Sequence, residues 1–324
     1  MATTRDRQIK AMRIVSCFFF ASTFTFCASS YCQIREVAVS PDGAGMAVTY
    51  EKGDVRFIYK ISMDSRNAVR LTAATTGKES SPAFSADGRL VAYSYVPEKQ
   101  HQRIIVMNLD DSKAHSVAES DTASVRATFA LDGKRVYFTR SQPPPLSHAW
   151  DMFSVDTDGN KVQRLTHGMF YEISQLSLSP DGKSIVAITT GADAHREVAI
   201  YPLEHPEQPS QSFRPHVPKE ASSDPIINYP NYMPDGKSIL FMAATDGKRG
   251  FDYDVYRLNL TTGDLQRLTN GNGIASDLKV FADGKTAVFL KWHKNWRGMP
   301  DASELYLLDV QTKKLSPLRI TGLD

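Results

Sequence analysis

Nine residues suited to recognition, His101, His148, Trp150, His195, Phe251, Trp292, His293, Trp296 and Arg297, lie in or beside irregular stretches that separate apolar runs. Tryptophan and arginine give large contact areas with polar ends, and histidine can exchange a proton or ligate a metal. In "KWHKNWRG" (291–298) two tryptophans alternate with Lys291, Lys294 and Arg297, a mixture suited to an acidic or carbohydrate partner. The plainer reading is a solvated basic loop stapled by one aromatic, with Trp150 or Trp292 plugging its own loop. Covalent chemistry has no foothold: Gly-x-Ser-x-Gly, His-Glu-x-x-His, paired-cysteine and phosphate-loop motifs are all absent. "DTDGN" (156–160) lacks the ligand count of a calcium loop and reads as a turn. The expectation is no catalytic residue, no metal and no cofactor.

What positions these residues is a repeat. Six segments align on an Asp-Gly pair: "VSPDGAGMAV" (39–48), "FSADGRLVAY" (84–93), "FALDGKRVYF" (129–138), "LSPDGKSIVA" (178–187), "YMPDGKSILF" (232–241) and "VFADGKTAVF" (280–289). The aspartates Asp42, Asp87, Asp132, Asp181, Asp235 and Asp283 are spaced by 45, 45, 49, 54 and 48 residues. Asp-Gly between apolar segments marks a hairpin, because glycine accepts positive φ and aspartate bonds the nearby backbone. The run after each turn is apolar at nearly every position, as in a strand covered on both faces. A second apolar run follows in each unit, and three units close on Arg-Leu-Thr, at 70–72, 164–166 and 267–269.

Each unit thus yields four short strands. A four-stranded sheet with two apolar faces must stack on its neighbours, and six around an axis close without long edges. The expected fold is all-β, a six-bladed β-propeller of four-stranded antiparallel blades over residues 31–324, in which the six aspartates are structural turn residues. The first-to-second and third-to-fourth strand turns then share one face of the disc. The longer second-to-third loops and the crossovers share the other, and the recognition residues fall there.

The combination of "SPDGKSI", a downstream "DVY" or "DMF", and "RLT" resembles the WD-like repeat of the TolB family, shared with the propellers of prolyl-oligopeptidase-like peptidases. The resemblance covers about residues 35–320 and speaks for fold, not function. It departs in two places, since neither the α/β domain ahead of the TolB propeller nor the peptidases' hydrolase domain is represented.

Residues 1–30 read as a signal peptide: Arg5, Arg7, Lys10 and Arg13 precede "IVSCFFFASTFTFCA" (14–28) and small residues at 28–30. That apolar stretch is shorter than the roughly 20 residues a membrane helix needs. Cleavage after Ser30 turns the formal charge from +2 to −1, removing any basic footprint for nucleic acid, and leaves Cys32 as the single cysteine. The expected product is exported, periplasmic or secreted, without a membrane span. It is expected to be a non-enzymatic scaffold binding a protein of the cell envelope through its long-loop face. The alternative is a metal-assisted, lyase-like enzyme acting on an acidic oligosaccharide at the channel mouth, which makes carbohydrate the other partner class.

Overall fold

The computed structural model describes residues 32–323, except 99–100, 147–148, 169–171, 191–194, 216–225, 245–251, 272 and 295–299. The leader and, among the recognition residues, His148, Phe251, Trp296 and Arg297 lie outside the described residues.

The described chain is built from 24 strands. Those opening the repeats are β1 (Cys32–Val39), β5 (Lys78–Phe84), β9 (Ser124–Phe129), β13 (Glu172–Leu178), β17 (Ile227–Tyr232) and β21 (Ala275–Val280). Second strands are β2 (Gly45–Lys52), β6 (Leu90–Val96), β10 (Arg135–Ser141), β14 (Ser184–Thr190), β18 (Ser238–Ala244) and β22 (Thr286–Lys294). Third strands are β3 (Val55–Ser62), β7 (Gln102–Asn108), β11 (Trp150–Asp156), β15 (Arg196–Pro202), β19 (Tyr253–Asn259) and β23 (Pro300–Asp309). Fourth strands are β4 (Ala68–Arg70), β8 (Ala114–Ser120), β12 (Gln163–Arg164), β16 (Gln211–Phe213), β20 (Leu265–Arg267) and β24 (Leu315–Leu318).

Within each repeat consecutive strands pair antiparallel, and repeats three to six give four separate four-stranded sheets. The expectation of six separate blades needs correction at the first two repeats, whose strands form one eight-stranded sheet. The link is a single parallel pair, Arg56 in β3 with Lys78 in β5. The sheets stack through apolar faces. One core unites Val186, Ile188 and Val198 of the fourth repeat with Ile239, Phe241 and Tyr256 of the fifth. The first and last repeats are joined in the same way, with Met46, Val48 and Tyr59 packed against Val288, Leu290 and Leu305. Thr321 also exchanges backbone hydrogen bonds with Ala68 (2.8 Å) and Arg66 (3.0 Å) beside β4. The result is an all-β propeller of small antiparallel sheets.

The Asp-Gly turns set the register. In all six, the aspartate Oδ1 accepts the N–H two residues on, from Ala44, Arg89, Lys134, Lys183, Lys237 and Lys285, at 2.8–3.1 Å. The glycine that follows has φ between +63° and +72°, where a Cβ would be strained. Ser40, Ser85 and Ser179 donate to Asp42, Asp87 and Asp181, and with those N–H groups hold the three carboxyls below the usual range. The residue two after each aspartate also accepts an N–H from beyond the third strand, from Met63, Leu109, Thr157, Leu203, Leu260 and Val310. The two kinds of tight turn therefore share one face.

Candidate functional site

The residue six positions before each turn aspartate is Glu36, Ser81, Arg126, Gln175, Tyr229 or Asp277, and together they line one cavity at the axis. Each first strand bulges at this level, where its pairing with the second strand shifts register. Ser81, Arg126, Gln175, Tyr229 and Asp277 sit at φ of +54° to +61°. A non-glycine residue there costs on the order of 1 kcal/mol or more, so the surroundings must hold it in place.

Neighbouring strands supply that hold. Released from the ladder, backbone N–H groups turn sideways to the next repeat: Ser81 N–H donates to Glu36, Val37 N–H to Asp277, and Tyr229 N–H to Gln175. Glu36 also accepts from Thr49 Oγ1 (2.9 Å) and Ser81 Oγ (3.1 Å), and Asn231 Nδ2 donates to the Leu278 carbonyl (2.8 Å). The Arg126 guanidinium lies 5.8 Å from the Tyr229 ring centre, spanning from the third repeat to the fifth. The space left at this neck is about 30 Å³, room for a particle or two the size of water. Burial, opposed by Lys279 and reinforced by Glu36, pushes the Asp277 carboxyl up to about 6. Burial likewise raises the Tyr229 phenol to about 12.

The Arg-Leu-Thr segments build a second recurring arrangement. In the third repeat Thr166 Oγ1 accepts Met152 N–H (2.9 Å) and donates to the fully buried Asp151 (2.8 Å), which Arg164 also meets at 2.6 Å. Thr269, Asp254, Arg267 and Val255 repeat it in the fifth. In the first repeat the acid's place is taken by Phe57, over which Arg70 stacks at 3.9 Å. The carboxylate comes instead from Glu79 on β5, accepting from Thr72 Oγ1 and from Ile58 N–H (3.2 Å). Glu79 is 2% exposed, and burial, partly offset by those donors and by Arg70, raises its pKa to about 7. These three sites tie the fourth strand to the third.

The loop-face residues are dispersed. His101 is exposed and pairs through Nδ1 with Asp121. His293 is exposed and sits 3.2 Å from Glu304. His195, just ahead of β15, is half-buried. The structure corrects the loop assignment of Trp150, Trp292 and His293, the last of which pairs with Ala302 within β22. Trp150 pairs with Ser141 at the start of β11 and packs against the core around Tyr137 and Met152. Trp292 pairs with Ser303 within β22, its Nε1–H donates to Ser276 Oγ (2.8 Å), and Arg35 lies 5.1 Å from its ring centre. Both strands run further than their irregular flanks suggest, because each is zipped to its partner before the loop begins. Among the described residues, no three His, Cys, Asp or Glu side chains come together as a metal site. No helix of these residues is long and apolar enough to cross a membrane.

Sequence reasoning passed over the axial ring, Glu79 and Arg35. The ring had a signal, a constant offset of six from each turn aspartate. Glu79 had none, since its role depends on Phe57 displacing the usual acid in another strand.

Comparisons with known proteins agree with the fold. Tol-Pal system protein TolB of Francisella tularensis is 30% identical over 109 residues, covering 33% of this chain and 23% of that protein. The alignment thus spans less than a quarter of the relative's length. The crystal structure of TolB from Acinetobacter baumannii superposes with a TM-score of 0.62 at 16% identity, covering 89% of this chain and 63% of that one. An oligogalacturonate lyase from Vibrio parahaemolyticus superposes at 0.55 and 15% identity, covering 90% and 79%. At such identities the structural likeness speaks for the fold alone. The family model for the TolB beta propeller domain matches residues 38–209, more than half of the sequence, and the chain belongs to that family.

Proposed function

We propose that this chain is an exported, non-enzymatic propeller of six blades that binds a protein of the cell envelope through its long-loop face. The eight-stranded sheet counts as two blades because one parallel pair joins two otherwise separate four-stranded meanders. The observation that carries the reading is the neck. Its about 30 Å³ is far below the roughly 300 Å³ at which small-molecule sites begin, and the molecule's own ring of side chains fills the axis. The neck is thus closed to molecules of that size, and recognition is left to the outer surface. The turn face consists of tight hairpins, whereas the other carries the longer loops, with His101 ahead of β7 and Trp292 and His293 near the end of β22. The Francisella tularensis relative is, by its name, a Tol-Pal system protein. The N-terminal pattern supports export, and the near-neutral charge after cleavage offers no electrostatic footprint for nucleic acid.

The test is a crosslinked pull-down of the processed protein from its native envelope fraction, beside a folded variant with the exposed His101 and His293 and with Trp296 changed to alanine. A protein captured by the native form and lost from the variant supports the reading. Capture of the same proteins by both, or of none, overturns it. Stoichiometric metal in the purified protein, with turnover of an acidic oligosaccharide, would favour the enzyme alternative.

A further inference from the structure

Arg126 is the ring member whose hydrogen-bonding capacity the fold leaves unspent. Among the described residues its guanidinium donates no hydrogen bond, and its near partner is the face of Tyr229. Lys279 and the Tyr229 hydroxyl line the same cavity and likewise donate none among the described residues. Of the carboxylates there, Glu36 takes three donors from Thr49 and Ser81, and Asp277 takes Val37 N–H through Oδ2. An arginine stays charged under all ordinary conditions, and this half-buried one lines the cavity, so an anion held there would meet its donors. Three donors without a hydrogen bond among the described residues, those of Arg126, Lys279 and the Tyr229 hydroxyl, therefore line the space, which admits a particle or two the size of water.

We infer that the axial neck is a binding site for a small monovalent anion of halide size, held by Arg126 and Lys279 with the Tyr229 hydroxyl. Its about 30 Å³ excludes sulfate, sugars and peptide side chains, which are larger than one or two waters. The opposing charges are Glu36 on β1, Glu172 on β13 and Asp277 on β21. Because Asp277 titrates near 6, acidification removes one of them, and binding tightens as pH falls.

Thermal melting of the processed protein at constant ionic strength, exchanging gluconate for bromide, tests this. Above its Kd, bromide should raise Tm by on the order of 3 °C for each tenfold in concentration, more strongly at pH 5 than at pH 8. Arg126→Gln should abolish the rise. Crystals grown in bromide should show an anomalous peak within hydrogen-bonding reach of Arg126. A Tm without bromide dependence, the same dependence in Arg126→Gln, or anomalous peaks only away from the axis would overturn the assignment. If Arg126→Gln does not fold, Lys279→Met takes its place in the titration, and the wild-type anomalous map decides independently.

Discussion

Glu79 makes the stability of this protein depend on pH in a way that one substitution should remove. The side chain is 2% exposed at the junction of the first two repeats, and its folded pKa is about 7 against 4.5 in the unfolded chain. The folded state therefore holds this proton more tightly than the unfolded one. Its stabilising contribution is complete below about pH 4.5 and is lost as pH rises through 7. At 1.36 kcal/mol per unit, the loss amounts to about 3 kcal/mol as an upper figure. Glu79→Gln keeps an acceptor for Thr72 and Ile58 without a charge. It should match the wild type at pH 5 and exceed it at pH 8 by several degrees in Tm, on the order of 5–10 °C if the full amount is realised. Differential scanning calorimetry of both forms at the two values measures this. Equal offsets at pH 5 and pH 8, or a variant less stable at pH 8, would refute the assignment of Glu79 as a buried, late-titrating acid.

Other outcomes follow from the same geometry. Adding Phe57→Asp to Glu79→Gln should restore the arrangement of the third and fifth repeats and leave Tm at least as high as in Glu79→Gln, read by the same calorimetry. Asp254→Ala strands the Arg267 guanidinium and the Thr269 hydroxyl, and should cost about 3 kcal/mol in denaturant unfolding. Gly77→Ala, whose Cβ would stand 2.7 Å from the Val96 carbonyl oxygen at φ +85°, should destabilise more than Gly133→Ala, where no atom lies within 4 Å and only the φ of +69° is strained. Intact-mass analysis of protein recovered from a producing bacterium should give a chain beginning at Tyr31.

Much of this fold was legible because a turn needs particular residues wherever it occurs. Asp-Gly at six regular intervals, with an apolar run after each, marks both the hairpins and the repeat length. The same regularity held the axial ring at its fixed offset, but its members, Glu36, Ser81, Arg126, Gln175, Tyr229 and Asp277, share no residue type and so give no motif. Composition misled at Trp150 and Trp292, since tryptophan beside proline or lysine looks like loop while strand pairing depends on the partner strand. The union of the first two sheets rests on one backbone pair, Arg56 with Lys78, and backbone geometry at a crossover leaves no trace in side-chain pattern.

Contact between the long-loop face and an envelope protein can be read by site-specific photo-crosslinking in cells. A crosslinking residue replaces His101 or His293 on that face, and in parallel Lys183 or Lys237 on the turn face. One discrete adduct with the same protein is expected from both His101 and His293, and none from the lysine positions. Adducts confined to Lys183 and Lys237, or absent from all four while the protein is exported and folded, would contradict it.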